Sequence, residues 1–600
     1  MNKLEINALV DQLREGTISR RGFMRRATAL GVSAGAAGML ARSAAAQTPE
    51  ASPAASPAGD VVTNALTREE AMAALNEAFA FEEPGNMGGE IIYQESTDIG
   101  TVNPVLSTDV YSSYINGQMF ETLIGGSVVD GTDVPTGLAD GWEISADGIE
   151  YTITLNQNVV WHDGTPFTSA DVIATFDGAL AENSQSVRKT TVESVLDSYE
   201  AVDDYTVIFR AKAPSGIFLT EALGQFGILP AHIWADVDPA DWPSDGGSTG
   251  TDPSRVIGTG PFKFEEWKLG ETVTLVKNEN YWQPEEVPNI DRFIFQVVGE
   301  GSTVLAALQT GGTDVGAIPF AEADALAESN PELQIVAYDT TSMNYYHCNQ
   351  DVTKTELYSD VLVRQAMLYA LDRTLLADMV YFGYAIQADG TQPVLSIAYD
   401  PASVNTIYNY DPEMAMSLLE EAGWVDSDGD GIREKDGQKL TMDVIYSEGT
   451  TTYPVQIPYM QDAWKAVGIE AITSAIPFQT LLDDTDAGNY GICVQGFQWS
   501  IDGGQDAMFA TNMTPPNGFN SMRYSNADYD ALIDSSKTEV DQAKRIEILQ
   551  EMSNIINDDA AIGITVFRQN IMGASPVVHN FFPNGYSAFW WLNKAWVDAR

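Results

Sequence analysis

Two hydrophobic periods take turns along this chain, and that limits the folds open to it. Tyr151, Ile153 and Leu155 are apolar at every second position, with Thr152, Thr154 and Asn156 between them. Successive side chains of a strand point to opposite faces, so this spacing predicts a strand with one buried face. Phe293, Phe295 and Val297 repeat the pattern. Elsewhere the period becomes helical. Val363, Ala366, Met367, Ala370 and Leu371 fall on one side of a helix. A second helix is bounded as well as patterned: Asp411 at its N-cap, Pro412 in its first turn, Gly423 just past its end, and Ala415, Leu418, Leu419 and Ala422 along its apolar face. No internal repeat of about 20–50 residues is present, which argues against a solenoid or propeller. The fold class is therefore α/β, where ligands bind in clefts between lobes. The 600 residues are enough for two or three lobes at about 150 residues each.

Charge narrows the partners. The chain holds 31 Lys and Arg against 85 Asp and Glu, a net charge of −54. Such a field repels phosphate backbones and anionic membranes, so nucleic acid is not an expected partner. It favours cationic or zwitterionic ligands, and equally serves solubility in a saline habitat. Cys348 and Cys493 are the only cysteines, which excludes a thiolate zinc cluster and a dense disulfide framework. Both lie in apolar, strand-like text, where two unpaired buried thiols are the commoner outcome and one bridge is the alternative. The histidines at 162, 232, 347 and 579 form no metal-binding pattern; His347-Cys348 is the one pair worth testing for a soft metal.

Residues 1–46 read as an export signal. Ser19-Arg20-Arg21-Gly22-Phe23-Met24 precedes a short apolar stretch, Ala27–Ala41, and the small residues Ser43-Ala44-Ala45-Ala46. The apolar stretch is shorter than the ~20 residues a membrane span requires. The paired arginines resemble the twin-arginine signal, and no lipid-accepting Cys follows. Gly31-Val32-Ser33-Ala34-Gly35 matches the G-x-S-x-G elbow of hydrolases, but in a removable leader it lacks a strand before it and partners after it. Residues 47–63 form a Pro/Ala/Ser linker, and 64–87 an extension with a short helix within Asn64–Phe81. A Gly/Ser/Asp/Pro-rich gap at Ser244–Ser254 reads as a loop or domain boundary.

Leu138–Val172 contains Trp142, a tight Asp147-Gly148 turn, the alternating strand, a second turn at Asp163-Gly164, and a helix start. There Thr168 caps the helix and Asp171 completes a capping box. This string resembles the signature of extracellular solute-binding protein family 5, the dipeptide-, oligopeptide- and nickel-binding proteins of ABC transporters. The resemblance continues at Gly258–Phe262, Leu305–Asp314, Val363–Ala366, Tyr410–Trp424 and Phe497–Asp502. It implies a periplasmic-binding-protein-like two-lobe fold with an extra subdomain in the first lobe. By motif order, lobe I takes 88–118, 256–342 and 566–600; subdomain Ib takes 119–255; lobe II takes 343–565. It also implies a protein outside the cytosol, in the periplasm or on the outer face of the cytoplasmic membrane. That protein would be a monomer that performs no chemistry and works with a membrane permease and ATPase subunits.

Within the resemblance, Trp499 and Asp502 match a W-x-x-D cleft segment whose Asp holds a ligand's α-ammonium group, with Trp499 as an apolar wall or cation–π surface. The segment departs from the peptide-binding pattern at Asp506-Ala507, where Asp-Pro is usual, so ligand identity stays open between peptide, oligosaccharide and metal chelate. No arginine could be assigned to a peptide's carboxylate. Tyr345 and Tyr346 occupy opposite faces of an expected hinge strand, where one could face the cleft and the other the core, core packing being the commoner role for either alone. Ser96 and Asn103 bracket a loop after the first strand that resembles a cleft-lining loop. Asp426, Asp428 and Asp430 carry the 1-3-5 spacing of a calcium loop, with Gly431 at 6, the Ile432 carbonyl at 7, Glu434 at 9 and Asp436 one place before Gly437 at 12. The alternative is an acidic surface turn, so the expectation is no cofactor, or one structural calcium. A secreted hydrolase using paired carboxylates, or a calcium-dependent adhesion protein, would be the remote alternatives.

Overall fold

The two periods sort into two sheets. A computed structural model describes residues 62–63 and 66–599, apart from 108, 187, 299–300, 355–356 and 516. The leader, its G-x-S-x-G string and nearly all of the linker lie outside the described residues.

The smaller sheet is antiparallel, in the order Val62–Thr63, Ala139–Ile144, Glu150–Leu155, Thr206–Ala211, Leu196–Asp203. Tyr151, Ile153 and Leu155 are all buried, as the alternation requires. Helix Ser169–Leu180 covers that face with Val172, Phe176 and Ala179. Its start is pinned by Asp171, which accepts the Thr168 N–H at 2.8 Å and the Ala231 N–H at 2.8 Å. Between the sheet's first two strands in the chain, helix Arg68–Ala78 starts at a capping box between Thr67 and Glu70. Ser244–Ser254 is not a free linker. Asp245 pairs with Arg255 at 2.8 Å, and buried Ser248 holds the loop before it through Thr101 and Asn103.

The larger sheet has eleven strands and runs through the whole molecule. Its order is Glu470–Ile476, Thr441–Ser447, Ile492–Gln498, Gln334–Cys348, Gly563–Ala574, Val315–Ala317, Glu90–Glu95, Arg292–Val297, Thr272–Lys277, Phe262–Lys268, with Ala385–Gln387 also on Gly563–Ala574. Two long antiparallel strands cross between its halves. Gln334–Asp339 pairs with Gln569–Ala574, and the register then breaks before Met343. At the break Thr340 Oγ1 donates to the Arg568 carbonyl at 2.6 Å. Residues 340–342 have no ladder partner on Gly563–Ala574 where the halves meet.

Both faces of the second half are covered. Tyr346, Val363, Met367, Leu419 and Trp464 form a core on one side, and Met343, Tyr345, Phe567, Met552 and Ile556 a core on the other. The helices run Val361–Tyr369 and Pro412–Glu421; Asp411 caps the second by accepting the Met414 N–H. His162 joins the smaller sheet's turn to the Gly258–Phe262 crossing. Its Nδ1 accepts the Gly258 N–H at 3.1 Å, so Nε2 carries the proton and donates to the Gly260 carbonyl at 3.0 Å. Burial holds this imidazole neutral, down to about 4.

Candidate functional site

The seam between the smaller-sheet subdomain and the second half gathers charges from distant parts of the chain. On one side strand Ile492–Gln498 ends, and the Trp499 N–H donates to the Thr341 carbonyl at the register break, 3.1 Å away. The Trp499 ring packs between Phe497 and Phe509, with centroids at 5.2 and 6.0 Å. Three residues on, Asp502 Oδ1 accepts the Gly504 N–H at 3.2 Å, and Oδ2 accepts from Arg545 Nη2 at 3.0 Å. Arg545 also donates to the Asp502 carbonyl at 3.2 Å and the Ser536 carbonyl at 2.9 Å. Helix Gln542–Asp558 carries this arginine, with Asp541 as its N-cap. Close by, Lys537 pairs with Asp506 at 2.6 Å.

The subdomain places Asp133 and Glu221 opposite. Thr220 Oγ1 donates to Asp133 at 3.2 Å, and Glu221 sits in the short helical turn Leu219–Leu223. Desolvation raises Asp133 to about 6, Asp502 adds to the rise, and the Thr220 hydrogen bond and Arg545 oppose it. Desolvation and then Asp502 raise Glu221 to about 7, against Arg188 and Arg545. Asp502 pairs with Arg545, while Asp133 and Glu221 sense that pair through space, with Arg188 a further counter-charge for Glu221. A low-dielectric seam of this kind stabilises an added cation far better than an added anion.

The seam is in contact. The Gly216 N–H donates to the Lys537 carbonyl at 2.7 Å.

The sequence pattern of the bacterial extracellular solute-binding proteins, family 5, matches residues 133–521, well over half of the chain. The chain belongs to that family. Among its relatives, the oligopeptide-binding protein AppA of Bacillus subtilis (strain 168) is 28% identical over 487 residues, 81% of this chain and 87% of AppA. The glutathione-binding protein GsiB of Salmonella paratyphi A is 29% identical over 482 residues, 79% of this chain and 88% of GsiB. The structure of Bacillus subtilis AppA in complex with a nonapeptide superposes with a TM-score of 0.66 at 26% identity, over 86% of this chain and 100% of that one. Family 5 proteins are binding proteins, and the two-lobe fold is theirs. Among the described residues, no helix is long and apolar enough to cross a membrane.

Within this family member the expected site residues separate. Trp499 and Asp502 come to the seam. Tyr345 and Tyr346 do not: both are 2% exposed, one in each core of the second half. Strand Gln334–Cys348 is sandwiched between layers, so alternation assigns its side chains to two cores rather than to core and cleft. Asn103 is a second correction. It is buried, with Nδ2 on Ser248 Oγ at 3.0 Å and Oδ1 accepting the Val105 N–H at 3.0 Å, so it braces its loop. Ser96 is exposed and bonds to its neighbour Glu95.

The acidic loop brings Asp426, Asp428, Asp430 and Glu434 within 4.8 Å of one another. Asp436 is not in that group. It sits at positive φ in the tight turn between Glu434–Lys435 and Gln438–Lys439, so Glu434 is the fourth carboxylate, and the Ile432 side chain is buried beneath. The all-oxygen donor set suits a hard cation, yet it is already engaged. Lys439 pairs with Asp430, and Asp426 accepts from Gly429 and Gly431.

Cys348 and Cys493 are free and buried. Cys493 lies opposite His347 and Cys348 opposite Ile492 on neighbouring strands, so the two thiols point to opposite faces and cannot bridge. His347 is buried with both ring nitrogens engaged. Tyr490 and Gln495 occupy its nitrogens at 2.9 and 3.1 Å.

Sequence reasoning missed Asp133, Glu221, Arg545 and Gly216. None stands in a motif of its own. A guanidinium in an acidic chain was the one available signal, and it does not say which carboxylate it meets.

Proposed function

We propose that this protein is the capturing component of an ABC importer and that it takes peptides with a free amino terminus. The observation that carries this reading is the position of Asp502 in a seam where Asp133 and Glu221 face it. The site has one buried guanidinium and an excess of carboxylate, so a ligand ammonium supplies the missing charge through charge-assisted hydrogen bonds. Trp499 would wall the apolar part of the ligand. The oligopeptide- and glutathione-binding relatives support a peptide class.

On this reading the protein performs no chemistry. It is exported by its twin-arginine leader, acts as a monomer outside the cytosol, and hands its ligand to a permease served by separate ATPase subunits. A ligand that binds the closed form better shifts the lobes toward closure. Thermal-shift screening with di- to hexapeptides should raise the melting temperature, as any native-state ligand must. A response to oligosaccharides or nickel chelates, with none to peptides, would replace the peptide reading by one of those. Peptide hydrolysis by the purified protein would overturn the binding role itself.

A further inference from the structure

The loop around Gly216 meets the far lobe at closer range than any side chain allows. Gly216 donates to the Lys537 carbonyl at 2.7 Å, near the C-terminal end of helix Ala527–Thr538, where carbonyls lack partners within the helix. A Cβ on Gly216 would lie 2.0 Å from the Glu539 carbonyl oxygen and 2.8 Å from Arg545 Cδ. The loop is held from its own side too. Tyr151 donates its hydroxyl to the Ser215 carbonyl at 2.8 Å and stacks on Phe218 with centroids 4.3 Å apart. Only glycine fits between these two rigid surfaces.

Arg545 lies beneath that contact, its side chain 5% exposed. Its Nε fixes the Ser536 carbonyl in the helix that Gly216 touches, its Nη2 fixes the Asp502 carboxylate, and its methylene chain forms the floor under Gly216. We infer that Arg545 is a positioning residue that ties Asp502 to the Gly216–Lys537 contact, so that holding a ligand amine and closing the subdomain onto the second lobe are one coupled event. This inference rests on Asp502 as the amine acceptor. It adds the route by which occupancy there is felt at the lobe contact.

A double-mutant cycle tests it on the mature protein, with an equimolar pool of free-terminus di- to hexapeptides as the probe. Affinity is read by calorimetry and ligand-induced compaction by small-angle X-ray scattering. Gly216→Ala blocks the lobe contact without touching Asp502, and Asp502→Asn weakens the amine site without touching the loop. Each single variant should lose about tenfold or more in affinity, and the double variant should be little weaker than the weaker single, because coupled sites are not additive. Arg545→Gln should lose both amine preference and compaction, and Arg545→Lys should recover part of each. Losses that multiply in the double variant, or an Arg545→Gln protein that keeps both properties, would overturn the coupling while leaving the peptide reading in place. Should Arg545→Gln fail to fold, the cycle decides alone. A wild-type protein that ignores the pool overturns the peptide reading, and the coupling with it.

Discussion

Asp502 accepts a hydrogen bond from Arg545 Nη2 at 3.0 Å, in a pair whose side chains are 13% and 5% exposed. A pair this enclosed is held by geometry as much as by charge, since desolvation offsets much of its attraction. Among the described residues, one carboxylate oxygen accepts only from the Gly504 N–H, which leaves it an acceptor for a ligand. Asp502→Asn is expected to weaken amine-bearing peptides by about 1.5–3 kcal/mol and to leave N-acetylated peptides unchanged. Titration calorimetry with both forms measures this; equal losses for both would remove Asp502 from amine recognition.

Glu221 gives the site a pH dependence of known sign. Its carboxyl is raised to about 7 in the seam, above the ordinary value near 4.3. A raised carboxyl contributes stability at low pH that is lost as pH climbs from about 4 through 7. Glu221→Gln should therefore raise the ligand-free stability at pH 8 by about 1 kcal/mol after discounting for partial exposure, seen as a higher melting temperature, and change it little at pH 4. Melting curves across that range check this. A variant less stable at pH 8 would contradict the assigned environment.

His162 titrates the other way. Its proton affinity is depressed to about 4, so the stability it contributes is present above about 6.5 and is lost as pH falls toward 4. His162→Ala removes both bonds to the Gly258–Gly260 crossing and should cost about 2–4 kcal/mol at pH 7. Denaturant unfolding measures it. A loss under 0.5 kcal/mol, roughly the surface-substitution range, would show that the crossing does not depend on this imidazole.

The sequence made some of this readable and left the rest dark for physical reasons. Strand Glu150–Leu155 and helix Pro412–Glu421 were legible because periods and caps are local properties of the chain. The place of Trp499 and Asp502 just past a strand end was legible through a family string. The faces of Tyr345 and Tyr346 were not, because alternation states that side chains diverge and not what covers each face. Asp133 and Glu221 come near Asp502 across about 280–370 positions, and only the tertiary arrangement brings them together. Asp436 was misassigned because spacing suggested a ligand where the backbone makes a tight turn.

The cysteines should be insensitive to redox conditions. Burial pushes the Cys348 thiol up to about 12 and Cys493 also upward, so little nucleophilic thiolate forms at neutral pH. Thiol labelling is expected to find two free cysteines after denaturation and none in the native protein, with the melting temperature unchanged by reductant. A reductant-dependent melting temperature would contradict the opposed-face geometry.

Chelation should also leave stability unchanged. The Asp426–Glu434 loop is closed by Lys439 and by backbone N–H groups. A melting temperature that rises by several degrees with added calcium, and falls with chelator, would assign that loop a structural ion.

Mass spectrometry of whatever leaves the natively purified protein on denaturation tests the central claim most directly. The account predicts intact peptides with free amino termini, lost from the Asp502→Asn protein. Recovery of sugars or metal chelates alone, or of peptide fragments generated by the protein, would contradict it.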